Sequence, residues 1–219
     1  MACTAFRAVL WDFGGVLTTS PFEAFNRFER ERGLPHDFIR RINTINPDAN
    51  AWAQFESSRI SLDEFDAAFA AEARAHGYDV RGREVVALLA GDLRPRMVAA
   101  LVECKRHFKV ACLTNNVKSG DGPGMAATAA RVGEWRRVMD LFDLVLESSR
   151  EGVRKPQPRF YEIACERLGV NPKEVVFLDD LGVNLKPARA MGMTTIKVVD
   201  EAVAIAALEE TLGITVPAL

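Results

Sequence analysis

The sequence predicts an α/β protein, a three-layer, doubly wound parallel sheet with a helical cap inserted after the first strand. Short, nearly continuous apolar runs recur at 8–11, 110–113, 144–146, 175–178 and 195–199, the pattern of strands covered on both faces. Helical periodicity occupies 96–106, 159–168, 185–191 and 202–212, so strands and helices alternate as right-handed crossovers require. Residues 19–89 break that rhythm with helical periodicity alone.

The first run, AVLW, ends in Asp12, and the next residues include Gly14 and Gly15, which let the backbone turn tightly beside a ligand. Within 19–89 the spacings Phe22/Phe25/Phe28, Phe38/Ile42/Ile45 and Leu62/Phe65/Phe69 read as amphipathic helices. Asn46-Pro47-Asp48 and Glu56-Ser57-Ser58-Arg59 read as turns between them. The expected partition is a core of 1–18 and 90–219 with a cap of 19–89. The run at 110–113 ends in Thr114-Asn115-Asn116, followed by a glycine-rich stretch, 118–124, expected to be a mobile loop. Arg154-Lys155-Pro156-Gln157-Pro158 places cations ahead of a helix whose start proline fixes. The run at 175–178 ends in the pair Asp179-Asp180, and Gly169 and Gly213 stand where helices should stop. In such a sheet ligands bind beyond the carboxyl ends of the strands. Asp12, Thr114-Asn115-Asn116 and Asp179-Asp180 are therefore expected to converge.

Composition removes several functional classes. The 219 residues carry 28 Lys+Arg against 30 Asp+Glu, a formal charge of -2, so no positive field is available to hold nucleic acid. No apolar run approaches membrane-spanning length and the amino terminus lacks a basic leader, so neither membrane anchoring nor export is expected. Cys3, Cys104, Cys112 and Cys165 show no metal-ligand spacing, which fits a reduced, cytoplasmic setting. The chain is expected to be a monomer or homodimer.

Taken alone, Asp12 is as consistent with a turn cap as with a catalytic carboxylate. A hydroxyl and amides at 114–116 suit phosphate oxygens, and Lys155 can neutralise an anion or steady a nucleophile. Two carboxylates ending an apolar strand are costly without a counterion, which points to a bound cation.

In this order, the strand-end Asp12, the strand-end Thr114, Lys155 and the acidic pair Asp179-Asp180 resemble the haloacid-dehalogenase-like hydrolase superfamily, with its Rossmann-type core. The segment 177–189, FLDDLGVNLKPAR, looks like its counterpart in the amino-terminal phosphatase domain of soluble epoxide hydrolases. The Asp-Phe-Gly-Gly-Val-Leu opening is similar to the domain that begins some acyl-CoA dehydrogenase-like proteins. The resemblance implies a Mg²⁺-dependent phosphatase acting on a small phosphorylated metabolite. Asp12 would be the nucleophile, forming an aspartyl-phosphate, and Lys155 the charge-balancing catalytic cation. Thr114 and Asn115 would hold phosphoryl oxygens. Asp12, the Gly14 carbonyl and Asp180 would hold the metal, assisted by Asp179 directly or through water.

One position departs from the pattern. Phosphatases of this superfamily carry a second Asp two residues after the nucleophile, where this chain has Gly14. General acid catalysis contributes about 10²–10⁴-fold, so its loss implies a slow enzyme, a good leaving group, or a donor such as water, Asn116, Arg59 or His36. A metal-independent 2-haloacid dehalogenase and a weakly catalytic phosphate-binding domain are the alternative readings. His36, His76 and His107 read as solvated or packing residues, and Arg59 as a surface arginine that could instead face the site. Trp52, Phe55, Phe65 and Phe69 read as cap core. Trp135, in Glu134-Trp135-Arg136-Arg137, is expected on a solvated helix face. Asn184 could cap its helix or orient Asp180.

Overall fold

The protein is described by a computed structural model covering residues 5–89, 91–116 and 129–218. Cys3 and the glycine-rich 118–124 stretch lie outside the described residues. Five strands, β1 (Ala8–Trp11), β2 (Lys109–Thr114), β3 (Leu144–Glu147), β4 (Val175–Asp179) and β5 (Thr194–Lys197), form one parallel sheet in the order β3-β2-β1-β4-β5. The first strand is central. Because the chain builds outward from it in both directions, the loops leaving β1, β2 and β4 must meet at one end of the sheet.

Directly after β1 come α1 (Pro21–Glu31), α2 (Phe38–Thr44), α3 (Ala51–Glu56), α4 (Leu62–Ala75) and α5 (Gly82–Ala87). They enclose an apolar core of their own in which Phe55 stacks on Phe65 at 4.4 Å and Phe65 meets Phe69 at 5.6 Å. Trp52 packs edge-on against Phe65 at 5.7 Å, so the aromatic spacing in this segment is core, as the sequence suggests. The remaining helices are α6 (Pro95–His107), α7 (Ala129–Met139), α8 (Ser148–Glu151), α9 (Pro158–Leu168), α10 (Gly182–Ala190) and α11 (Glu201–Leu212).

Strand alternation decides which helices cover which face. Val9 and Trp11 point toward α6, α7 and α11, whereas Ala8 and Leu10 point toward α9 and α10. Both faces are buried, which is why the strands read as unbroken apolar runs. Gly169 and Gly213 end α9 and α11 with φ of 65° and 68°, the left-handed cap expected of them.

Three sequence expectations need correction. The last strand ends at Lys197 rather than 199. Val198 still donates its N–H to the Asp179 carbonyl, but Val199 lies past the end of β4 and is 73% exposed. The helix after the acidic pair starts at Gly182, three residues early, because the chain turns directly from Asp180 into α10. Trp135 is not on the solvated face. It is 1% exposed and packs edge-on against Phe13 at 5.0 Å, because Trp135 and Val138 share the helix side that meets the sheet. Glu134, Arg136 and Arg137 are exposed as expected.

Candidate active site

Asp12 directly follows β1, and its N–H bonds the Leu178 carbonyl at 2.9 Å, so the sheet ladder extends to its backbone and fixes where its side chain starts. One carboxylate oxygen, Oδ1, accepts the Phe13 N–H at 2.7 Å. The other, Oδ2, lies 2.9 Å from Lys155 Nζ. Lys155 is 1% exposed and reaches a second carboxylate, Asp179 Oδ2, at 2.8 Å. Asp12, Asp179 and Asp180 each bring a carboxylate oxygen within 4.8 Å of the others. Residues far apart in sequence thus share one buried volume.

Among the described residues, three carboxylates meet the single ammonium of Lys155, with the Arg94 charge acting on Asp180. Burial pushes the Asp12 carboxyl well above the usual range; Lys155 opposes this, while Asp179 and Asp180 add to it. Burial and the neighbouring Asp179 likewise raise Asp180 to about 6. Burial works against the charged amine of Lys155, but the carboxylates of Asp12 and Asp179 outweigh it and hold the proton on. An all-oxygen donor set with surplus negative charge suits a hard divalent cation such as Mg²⁺.

The two members of the acidic pair have different surroundings. Asp179 is fully buried and saturated with donors: Oδ1 accepts from Leu181 N–H at 2.8 Å and Asn184 Nδ2 at 3.0 Å, and Oδ2 from Lys155 and Asn184 Nδ2. Asp180 is less buried and faces Gly15, where φ is +77° and an added Cβ would land on its carboxylate. Only glycine permits that approach. Gly14, in contrast, has no described residue within 4 Å of where a Cβ would stand.

Other residues take roles the sequence did not assign. Asn184 neither caps α10 with its side chain nor touches Asp180; it holds Asp179, and Tyr161 Oη bonds its carbonyl at 2.7 Å. The side-chain amide of Asn115 brackets the backbone of Lys155, accepting its N–H at 2.9 Å and donating to its carbonyl at 2.9 Å. The side chain of Asn116 donates to Glu147 Oε1 at 2.7 Å and accepts from Ser149 N–H at 3.2 Å. Arg59 is exposed, and His36 is exposed and paired with Asp37 at 3.2 Å. His76 is exposed, and His107 pairs with Glu103 at 3.1 Å. Thr114 is buried at the end of β2.

Glu56 and Ser148 were missed. Ser148 was within reach, because Glu147-Ser148-Ser149 follows the third apolar run as the other polar clusters follow theirs. Glu56 ends α3, where nothing in the sequence separates it from a solvated glutamate.

The profile of the haloacid dehalogenase-like hydrolases matches residues 6–192. Bifunctional epoxide hydrolase 2 of Mus musculus is 32% identical over 97% of this chain, and the chain spans 40% of that protein's length. Of another curated relative it spans only 19%. Sesquiterpene phosphatase astK of Aspergillus oryzae is 28% identical over 96% of this chain and 99% of its own length. Among solved structures, a family enzyme from Bacteroides thetaiotaomicron, crystallised with magnesium and inorganic phosphate, superposes with a TM-score of 0.58. It is 20% identical, over 88% of this chain and 94% of its own. The chain belongs to the haloacid dehalogenase-like hydrolases.

Proposed function

We propose that this chain is a Mg²⁺-dependent phosphatase that transfers the phosphoryl group of a small phosphorylated molecule to Asp12. One observation carries the reading: a strand-end carboxylate and two others share a buried site with one lysine, leaving negative charge that a divalent ion would balance. The likeness to a named phosphatase along nearly its whole length supports the same reaction class. Asp12, Asp180 and the Gly14 carbonyl are the groups that would hold Mg²⁺, whose positive charge would offset repulsion between nucleophile and anionic substrate.

The chain's own residues then divide the work. A carboxylate oxygen of Asp12 bonds to phosphorus as the bond to the ester oxygen breaks, and that oxygen leaves with the electron pair. Lys155, held protonated, favours the ionised form of Asp12 against burial and lies beside the incoming phosphoryl charge. Asp179 and Asn115 fix Lys155 from its amine and its backbone, and Thr114 supplies a hydroxyl to a phosphoryl oxygen. Water next attacks phosphorus, releasing inorganic phosphate and restoring the Asp12 carboxylate. Residues 19–89 are read as a cap over the 1–18 and 90–219 core, and closure of the cap would exclude bulk water.

Hydrolysis of p-nitrophenyl phosphate tests this. Turnover is expected with Mg²⁺ and is expected to vanish in EDTA and in Asp12→Asn. Metal-independent turnover, or halide release from a 2-haloacid in EDTA, would overturn the reading.

A further inference from the structure

We infer that Glu56 is a positioning residue that registers the cap against both loops carrying the catalytic groups. Glu56 is the last residue of α3 and 7% exposed. Its side chain leads to one loop: Oε2 lies 2.8 Å from Arg154 Nη1, with 13% and 9% of the two side chains exposed. Arg154 directly precedes Lys155, and its other terminal nitrogen bonds the Pro47 carbonyl of the cap. The backbone carbonyl of Glu56 leads to the other loop, accepting from Ser148 Oγ at 2.9 Å. Ser148 Oγ in turn accepts the Asn116 N–H at 3.1 Å, and Asn116 adjoins the Asn115 that brackets Lys155.

A single cap residue therefore meets the segment that leads into Lys155 at two points, Ser148 and Arg154, and reaches the Asn115 loop through Ser148. Arg154 is anchored to the cap, Asn115 is anchored to the core, and Lys155 lies between them. A surface ion pair would contribute little to such placement. This pair is buried, so removing one partner leaves a desolvated charge that must find water by opening the contact. Loss of Glu56 should loosen the 147–157 segment, and with it the direction of the Lys155 amine, without removing any group that touches substrate.

The activity arm of the test rests on the phosphatase reading; the exchange arm does not. In the full chain, Glu56→Ala is expected to lower kcat for p-nitrophenyl phosphate roughly 10- to 100-fold, the usual effect of losing a supporting partner, with KM moved less. Amide deuterium uptake should rise in 147–157 as well as in 46–58. Glu56→Gln, which keeps a hydrogen bond to Arg154 while both variants keep the backbone carbonyl contact to Ser148, should recover most of both. Should Glu56→Ala fail to fold, Arg154→Ala read against Arg154→Lys replaces it, with the same ordering expected. Should the wild type prove inactive, uptake alone decides. Increased uptake confined to 46–58, or kcat within twofold of wild type with 147–157 unchanged, would overturn the inference.

Discussion

At the scale of single residues, Gly14 and Gly15 do opposite things. Gly15 is required because its positive φ and the Asp180 carboxylate leave no room for a side chain. Gly14 is under no such constraint from the described residues, which leave its Cβ direction open. Gly14→Asp should therefore be accommodated and place a carboxyl beside the nucleophile. Adding a general acid helps most where the leaving oxygen is basic. Turnover of alkyl phosphates is expected to rise by about 10²-fold or more, and that of aryl phosphates by much less. Steady-state kinetics on both ester types would check this; an equal gain, or none, would mean that another group already donates the proton.

The convergence of Asp12, Lys155 and Asp180 was legible because chemistry and position coincided. Asp12, Lys155 and Asp180 end strands or precede a helix, positions that the topology brings together whatever the side chains around them. The side-chain partners of Asn115 and Asn184 were not legible, because an amide at a strand end suits a phosphate and a neighbouring backbone equally well. Only three-dimensional proximity shows that Asn115 is spent on Lys155 and Asn184 on Asp179. The buried Glu56 was invisible for a similar reason, since its partner is 98 positions away.

At the scale of elements, the loop after β2 and the loop before α9 are stitched together by that Asn115 bracket. Asn115→Ala leaves the N–H and carbonyl of Lys155 unpaired in a partly buried place, which costs about 1–3 kcal/mol. Urea unfolding should register that loss, and kcat should fall with it. If Asn115 instead served chiefly to grip phosphate, stability would be unchanged while inhibition by inorganic phosphate weakened. The five strands and the core helices were legible because burial on both faces and helical spacing leave strong periodic signatures. Boundaries were less so: β5 stops where β4 runs out of partners, a fact about its neighbour rather than about its own residues. Trp135 was misplaced because its immediate neighbours are charged, whereas its partner, Phe13, comes from the first loop.

At the scale of the whole molecule, the site costs stability when no cation balances it. In the folded protein Asp180 is raised from its ordinary 3.8 to about 6, by burial and by Asp179, and Asp12 is raised in the same direction. A raised carboxyl binds a proton more tightly folded than unfolded, so stability is greatest below the unfolded value and is lost as pH climbs through the folded one. Without metal, the melting temperature should fall between about pH 4 and pH 6, with up to about 3 kcal/mol from Asp180. Saturating Mg²⁺ should abolish or reverse that slope, because ionised carboxylates are then favoured in the folded state. Differential scanning fluorimetry across pH in EDTA and in Mg²⁺ would show it, and parallel curves would argue against a cation at this site.

The central claim, that Asp12 itself carries the phosphoryl group, is open to direct observation. Acid quenching during turnover with Mg²⁺, followed by peptide mass spectrometry, is expected to find one phosphoryl group on the peptide bearing Asp12 and none on Asp12→Asn. Sustained turnover with that peptide always unmodified, or with the group on another residue, would contradict the account.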